Sequence, residues 1–336
     1  MTTITRTNPR PRTAHTREER SHPAYAAAFA RYLTSGDTSE LLPDTLRSMH
    51  TGGPVQGSYL APLEFERQVL AALDNYSAMR SVSTIVPTLT GRTTELPTDT
   101  DSTSEGAIMG PGERAAVDDA DLVVGQHTSS TFLYTSRTVR TSAELIEDTP
   151  GEMWQAWIAQ ALGLRIARRL NRSATIGTGP AEPLGVVHAA ALGVTGASGQ
   201  TSTITGDDLL DLEAALNPAY RPNASYMCSP ATATFLKKIK DGSGRYLFND
   251  TTGRVNNFPL IVNPHMQDMS AGVRSVLLGD FRQYRIRDVA GMSLIRLDEA
   301  FASAGQVGWI LFSRHDAFLP IAGDVTPIVA DVNAAS

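Results

Sequence analysis

The sequence predicts an α+β fold, and two contrasting patterns along the chain lead to that class. One is a long helical pattern over residues 150–172, in which apolar side chains recur at every fourth position. The other is a set of short segments rich in β-branched residues, which favour strands and do not alternate regularly with helices. With 336 residues, of which 41% are hydrophobic, the chain can bury a substantial core.

Composition and charge exclude some classes of protein. No apolar run reaches the roughly 18 residues that a membrane helix needs, and Met1 is followed by polar, threonine-rich sequence. We therefore expect neither a membrane span nor a secretory leader. The net charge of −6 also argues against tight binding of duplex DNA, which needs a basic surface.

The first 22 residues predict a mobile basic arm. They contain two prolines and many threonines, and their five arginines outnumber their two glutamates. The arginines are Arg6, Arg10, Arg12, Arg17 and Arg20.

Two helices should follow the arm. Residues 23–33 begin with a proline and have apolar side chains at helical spacing, which predicts an amphipathic helix that must bury one face. That face contains Tyr25, Phe29 and Leu33. The same kind of spacing predicts a second helix over residues 62–76. Between the two, a Gly-Gly-Pro sequence at residues 52–54 breaks the chain and marks the end of the arm.

An acidic segment lies between two predicted strand regions. Residues 82–96 and 122–140 are rich in β-branched residues and threonine. Residues 92–121 between them carry eight carboxylates against two arginines, and loops of this length are usually functional or disordered. One interpretation is a disordered, solvated insertion. The other is a two-stranded ribbon that has no core of its own and therefore lies on a partner.

The long helix at residues 150–172 opens the remaining part of the fold. Its acidic start and arginine-rich end complement the helix dipole. After a glycine-rich turn at residues 177–185, Thr205 is expected to cap a helix that runs towards Pro218, and another helix should begin at Pro230. Short strands are predicted at residues 226–228, 259–262, 276–278, 284–286, 292–297 and 307–313.

The sequence lacks the motifs of the common enzyme classes. It has no GxSxG, HExxH, GxGxxG or Walker A motif, and no two of its seven histidines are four residues apart. His315 beside Asp316 could belong to a catalytic dyad, but adjacent side chains rarely face each other. Cys228, the only cysteine, lies in an apolar segment and is interpreted as a small buried side chain. We predict a protein that is not an enzyme and that has no catalytic residue, metal site or cofactor.

Six groups of residues, in one order along the chain, carry a resemblance to a known family. They are residues 57–62 (GSYLAP), 142–149 (SAELIEDT), 176–185 (IGTGPAEPLG), 241–247 (DGSGRYL) with 258–262 (FPLIV), 278–281 (LGDF) with 284–286 (YRI), and 314–316 (RHD). Through residues 55–330 the chain resembles the major capsid proteins of tailed bacteriophages with the HK97-like fold. No segment is specific by itself, and the common order and spacing carry the resemblance.

The resemblance implies an HK97-like capsid fold with an N-terminal arm, an extended β-ribbon loop, a peripheral domain with a long spine helix, and an axial domain. These parts correspond to residues 1–54 (N-terminal arm), 55–82 (first part of the peripheral domain), 83–135 (extended loop), 136–185 (peripheral domain with the spine helix), 186–292 (axial domain) and 293–336 (C-terminal strands of the peripheral domain).

The resemblance also implies a major capsid protein that self-assembles into pentamers and hexamers of an icosahedral shell around double-stranded DNA. Self-assembly contacts are then expected in the extended loop at Arg92, Glu95, Asp99, Asp101, Glu105, Glu113, Arg114, Asp118 and Asp119. Contacts at the capsomer centre are expected at Asp241, Arg245, Tyr246, Asn249 and Arg254. In the arm, Tyr25, Phe29 and Leu33 would grip the same or an adjacent subunit, and inward contact with DNA would come from Arg6, Arg10, Arg12 and Arg17.

Further expectations concern covalent bonds and partners. Some members of the family join their subunits through a lysine in the extended loop, whereas the three lysines of this chain are Lys237, Lys238 and Lys240, so we expect a non-covalent shell. Other members carry a longer scaffolding segment that a protease removes. Because few residues precede the fold here, we expect an uncleaved arm and a separate scaffolding protein. Portal and decoration proteins are further expected partners, and assembly is expected in the cytoplasm of a bacterial host.

Two other functions remain open on the sequence. An encapsulin, which is a cellular compartment with the same fold, would enclose cargo enzymes and normally has a shorter ribbon. A hydrolase with dispersed catalytic residues would instead have a defined small-molecule pocket and form no more than a small oligomer.

Overall fold

The structure, a computed structural model, describes residues 20–37, 47–50, 53–99, 124–240, 243–320 and 326–334. The α-helices of this part of the chain are α1 (Pro23–Ser35), α2 (Leu63–Tyr76), α3 (Ala78–Val82), α4 (Ala143–Asp148), α5 (Gly151–Ile176), α6 (Val186–Ala189), α7 (Gly206–Ala215) and α8 (Pro230–Leu236). The strands are β1 (Arg47–His50), β2 (Gly53–Leu60), β3 (Thr84–Thr88), β4 (Thr94–Asp99), β5 (Val124–Ser129), β6 (Phe132–Thr135), β7 (Val139–Ser142), β8 (Ala191–Thr195), β9 (Ser225–Cys228), β10 (Phe248–Asn249), β11 (Arg254–Val255), β12 (Phe258–Val262), β13 (Arg274–Gly279), β14 (Arg285–Leu297), β15 (Gln306–Phe318) and β16 (Ile328–Val332).

The predicted helices are confirmed, with small shifts of their bounds. Helix α1 begins at Pro23 and ends at Ser35, and it is followed by Gly36, whose φ of 75° is readily adopted by a residue without a Cβ. Helix α5 continues beyond the predicted end at residue 172. Helix α7 has a capping box, in which Thr205 and Asp208 each bind the other's backbone N–H. None of the described helices is both long enough and apolar enough to cross a membrane.

The chain divides into two units. The first comprises Met1–Tyr76, Leu133–Ala167 and Gly291–Ser313, and the second comprises Ser77–Phe132, Arg168–Ala290 and Arg314–Ser336. Three long elements, α5, β14 and β15, contribute residues to both units.

Aromatic side chains form much of the core of the first unit. Phe29 of α1 and Phe65 of α2 are fully buried and lie edge to face, with 5.6 Å between their ring centroids. Trp154 of α5 and Trp309 of β15 are also buried, with centroids 6.0 Å apart. Because each buried aromatic ring contributes about 1.5–3 kcal/mol through the area it removes from water, α1 is an integral part of this core.

A seven-stranded mixed sheet forms the core of the second unit. Its strand order is β10-β11-β12-β9-β13-β16-β8. Helix α7 packs on β8 and β16, and its Leu209 and Leu212 belong to one buried cluster with Tyr226 and Leu278. This buried cluster joins helix α7 to the sheet.

Strand β14 replaces two strands that the sequence predicts separately, at residues 284–286 and 292–297. Residues 285–289 pair in parallel with β3, and residues 293–295 pair in antiparallel fashion with β2. Each half of the strand thus has its own partner, which keeps the polar stretch around Asp288 extended although its composition does not favour a strand.

The pairing of the last strand, β16, differs from the predicted assignment of the C-terminal residues. The sequence assigns the whole of residues 293–336 to the peripheral domain, but β16 pairs with β13 and with β8, which both lie in the predicted axial segment. Ile328, Val329 and Ala330 of β16 are buried, and a strand with a partner on each side satisfies its backbone hydrogen bonds while burying such residues. The C-terminal end of the chain therefore belongs to the second unit.

Candidate self-assembly surfaces

The predicted ribbon has a paired core formed by β4 and β5. These strands form a two-stranded antiparallel sheet of their own, with Glu95 opposite Thr128 and Asp99 opposite Val124. The pairing is shorter than the predicted arm, because β3 pairs with β14, and β6 and β7 pair with β15. The longer strands β14 and β15 supply backbone partners for these segments, which therefore join one seven-stranded sheet.

The structure describes three of the predicted contacts in the extended loop. Arg92 is exposed two residues before β4, Glu95 is exposed on β4, and Asp99 is the last residue of β4. The other six, which lie outside the described residues, are Asp101, Glu105, Glu113, Arg114, Asp118 and Asp119.

A buried arginine holds the root of the ribbon. Arg287 of β14 is 4% exposed, and its Nη2 donates hydrogen bonds to the carbonyl oxygens of Thr90 at 3.0 Å and Arg92 at 2.9 Å. Its Nη1 reaches the carbonyl and hydroxyl oxygens of Ser129 at 3.4 and 3.3 Å. One guanidinium group thus binds both the segment that enters β4 and the end of β5. Sequence analysis does not identify Arg287, since an arginine in a strand carries no signal of such a role.

Asp316 adds a second polar group at the ribbon root. The Ser129 hydroxyl donates a hydrogen bond to its Oδ2 at 2.5 Å. Burial raises the pKa of Asp316, although the hydrogen bond from Ser129 and the charge of Arg287 oppose the shift. His127 stacks on Phe318 with 4.7 Å between ring centroids, and burial lowers the pKa of its imidazole. The ribbon root is therefore a buried polar cluster held by specific hydrogen bonds.

The RHD segment does not form the catalytic dyad considered from sequence. Nδ1 of His315 lies 2.7 Å from Asp288 and not beside Asp316. Arg80 donates to both oxygens of the same Asp288 carboxylate, at 3.0 and 2.8 Å. Burial alone would raise the pKa of Asp288, but His315 and Arg80 outweigh burial and hold it below the usual range. This arrangement is a buried ion pair that ties together elements of the second unit.

The predicted capsomer-centre residues lie on and beside a small hairpin of β10 and β11. Asn249 lies opposite Arg254 in this hairpin. Tyr246 is 61% exposed, and Nζ of Lys240 lies 4.8 Å from its ring centroid. The structure describes Arg245, Tyr246, Asn249 and Arg254, while Asp241 lies outside the described residues. An exposed aromatic ring among cationic side chains is well suited to contacts with another protein surface.

The predicted contacts of the arm lie within its own chain. Phe29 and Leu33 are fully buried, and the Tyr25 hydroxyl donates a hydrogen bond to the carbonyl of Leu60. Arg20, predicted to belong to a mobile arm, is instead buried. Its Nη1 lies 2.7 Å from the carboxylate of Glu66 and 3.2 Å from the carbonyl oxygen of Ala61, because the buried glutamate requires a cation. The arginines predicted to contact DNA lie outside the described residues and are Arg6, Arg10, Arg12 and Arg17.

The environment of Cys228 does not activate its thiol. This cysteine is fully buried, and burial raises the pKa of its thiol to about 12. Within the described ranges, no group of three or more His, Cys, Asp or Glu side chains could hold a metal ion.

Comparison with known proteins gives a family and a fold. The sequence model of the phage capsid family matches residues 57–319. The structure is similar to the capsid of an empty GTA particle computed with C5 symmetry, with a TM-score of 0.64 and 22% identity over 77% of this chain and 90% of that chain. It is also similar to a chain of Mycobacterium phage Bobi, with a TM-score of 0.55 and 19% identity over 77% of this chain and 91% of that one. No curated protein sequence matches the chain. Since the family match covers most of its length and the fold is HK97-like, the chain belongs to the phage capsid family and is a major capsid protein of an icosahedral shell.

Proposed function

We propose that this capsid protein assembles into pentamers and hexamers whose ribbons lie on neighbouring subunits, and that the resulting shell encloses double-stranded DNA without covalent bonds between subunits. The observation that carries the proposal is the ribbon of β4 and β5, which pairs with no other strand of the described residues. An isolated two-stranded hairpin is at most marginally stable in water. A neighbouring subunit would provide the surface on which such a ribbon is stable.

The root of the ribbon supports this role. Arg287 binds both strand ends with a planar group that has its donors at fixed angles. Because these hydrogen bonds fix the direction in which the ribbon leaves its domain, the ribbon of each copy can reach the same site on its neighbouring subunit. Repeated contacts of this kind add up, because ring closure makes the later contacts effectively intramolecular.

The composition of the extended loop supports a shell without covalent bonds between subunits. Residues 83–135 contain no lysine, so an isopeptide bond from a lysine of this segment is impossible. We expect the shell to dissociate fully into single chains in a denaturing detergent.

The charge distribution agrees with a wall that encloses DNA and binds it weakly. The whole chain carries −6, whereas its first 19 residues carry the four arginines Arg6, Arg10, Arg12 and Arg17. A basic segment on an acidic protein gives limited, salt-dependent phosphate contact. Under this proposal the arm faces the interior, a separate scaffolding protein directs assembly in the bacterial cytoplasm, and portal and decoration proteins complete the particle.

Sedimentation and negative-stain imaging of the concentrated protein test the proposal, with and without a co-expressed scaffolding protein. Rings, tubes or closed shells support it, and nuclease-resistant DNA in particles from infected cells supports DNA enclosure. A chain that remains monomeric or dimeric under all these conditions would contradict it. Shells that contain a cellular enzyme and no DNA would favour an encapsulin compartment.

A further inference from the structure

We propose that a cleft lined by Arg221, Arg254 and Arg282 binds the acidic face of helix α7 from a second copy of this chain. The inference rests on the proposed function, since it concerns how neighbouring copies meet within one capsomer ring. It assigns the charge and the position of the two surfaces that form this contact.

The cleft is a built feature of the second unit. Its volume is about 320 Å³, and none of the described residues that line it is a carboxylate. Three arginines converge on it from three parts of the chain, since Arg221 precedes β9, Arg254 lies in β11 and Arg282 follows β13. Pro222, Phe258 and Pro259 complete its wall with apolar atoms. The cleft therefore offers positive charge beside a hydrophobic surface.

The three guanidinium groups bind neutral acceptors and have donors to spare. Arg221 donates to the carbonyl oxygens of Leu216 and Ala214, at 3.0 and 3.2 Å. Arg254 donates one hydrogen bond, at 3.1 Å to the carbonyl of Asn257, and Arg282 donates one to Asn223 Oδ1 at 3.3 Å. An arginine has five N–H donors. Among the carboxylates that the structure describes, none lies within ion-pair distance of the three arginines.

One described acid near the cleft is already engaged. Glu213 lies near Arg221, and its carboxylate accepts a hydrogen bond from the Tyr226 hydroxyl at 3.0 Å. Three positive charges thus converge on the cleft, and the nearby Glu213 carboxylate is partly engaged by Tyr226. The cleft therefore favours an additional carboxylate from outside the chain.

Helix α7 carries that complementary charge. Asp207 and Asp211 are exposed and one helical turn apart, so they lie on one face, and the adjacent Leu210 is 54% exposed. Asp208, in the first turn of the same helix, adds a further carboxylate at this end of α7. An exposed leucine between two carboxylates matches a cleft of arginine, proline and phenylalanine.

The two surfaces are separate patches of the second unit. Arg221 of the cleft binds the carbonyl of Ala214 at the C-terminal end of helix α7, whereas Asp207 lies in the first turn of that helix and Asp211 one turn later. A ring is built from heterologous contacts, in which one patch of each copy meets a different patch of the next copy. Copies that each carry −6 repel one another on average, so a local pair of opposite charges gives the contact its orientation as well as attraction.

Engineered disulfides provide a direct test that does not depend on stability. Cys228 is fully buried, so a chain with D211C and R254C has two accessible thiols. After mild oxidation of assembled D211C/R254C, we expect covalent multimers up to the size of a ring in a non-reducing denaturing gel. The single variants D211C and R254C should remain mostly monomeric. Wild-type-like particles without multimers specific to the pair would overturn the inference.

Charge exchange provides a second test. The R254E/R282E variant should form rings at least tenfold less readily than wild type, as should D207R/D211R, while circular dichroism shows each folded. The combined variant R254E/R282E/D207R/D211R restores opposite charges and should recover assembly. Unchanged assembly of R254E/R282E, or no recovery in the combined variant, would contradict the pairing. If the wild-type protein forms no rings, the proposed function fails, whereas rings without cross-linking and without rescue refute this inference alone.

Discussion

Replacing Arg287 by methionine should open the root of the ribbon and leave the rest of the second unit folded. The two shortest contacts of this guanidinium group, to the carbonyl oxygens of Thr90 and Arg92, are 3.0 and 2.9 Å long. A hydrogen bond from a charged donor contributes about 1.5–3 kcal/mol, so these two contribute about 3–6 kcal/mol. The contacts to Ser129 at 3.3 and 3.4 Å are weaker.

The net effect is smaller than this sum, because Arg287→Met also removes the cost of burying a cation. Arg287 is 4% exposed and forms no ion pair with a carboxylate of the described residues. The desolvation penalty of such a charge offsets part of its hydrogen bonding. We expect the free energy of local opening to fall by about 3 kcal/mol, which corresponds to about a hundredfold increase in the open population.

Hydrogen exchange by mass spectrometry on the unassembled protein measures that population. Peptides that cover β4 and β5 should exchange about a hundredfold faster in the R287M variant, whereas peptides of α7 should be unchanged. The matched control is R285M, which removes the same charge from the same strand at a position paired with Thr84 and away from the ribbon root. Equal acceleration throughout the second unit, or no acceleration in the ribbon, would refute the reasoning.

Three further predictions concern stability. Phe29→Ala removes a fully buried ring and should lower the free energy of unfolding by about 3–5 kcal/mol. Thermal melting measures this loss of stability. The control is Leu145→Ala, which should have little effect because the Leu145 side chain is 47% exposed. Burial raises the pKa of Asp331 to about 6, so the folded state favours the protonated form and stability increases as the pH falls from above 6 towards the ordinary value near 4. Asp331→Asn should therefore stabilise the protein by about 2–3 kcal/mol at pH 7 and by less at pH 5 in urea unfolding, and an equal gain at both pH values would contradict this assignment. The pKa of Asp288 is lowered, so its contribution is present above the ordinary value near 3.9 and is lost as the pH falls through the lower folded value. Asp288→Asn should cost about 3–5 kcal/mol at pH 7 and flatten the acid limb of the stability curve, and an unchanged acid limb would show that another group controls it.

Local sequence patterns predicted the helices of this protein well. The four-residue repeat of α5 and the cap at Thr205 require only neighbouring residues, because helical hydrogen bonds join residues close in sequence. The strand segments were also recognisable, but their partners were not. Residues of β3 have the composition of a ribbon strand, yet they pair with β14, which is distant in sequence.

The ribbon was predictable from the sequence, but the residues that hold its root were not. An acidic segment between two strand regions indicated a ribbon, and β4 with β5 forms its paired core. Nothing in the local sequence distinguished Arg287 from an arginine on a solvated surface. The same holds for Arg20, which the pattern placed in a mobile arm and the fold pairs with Glu66.

The sequence by itself determined the class of the protein, the order of its helices and strand segments, and the absence of a lysine between residues 83 and 135. These properties depend on composition, periodicity and the order of short segments. Only the tertiary structure decided that β16 enters the sheet between β13 and β8, that His315 binds Asp288 and not its neighbour, and that three arginines far apart in the chain line one cleft. The physical reason is that strand pairing, the pairing of buried charges and the shape of a cleft depend on long-range contacts, whose cost in chain entropy is offset only when the whole core packs together.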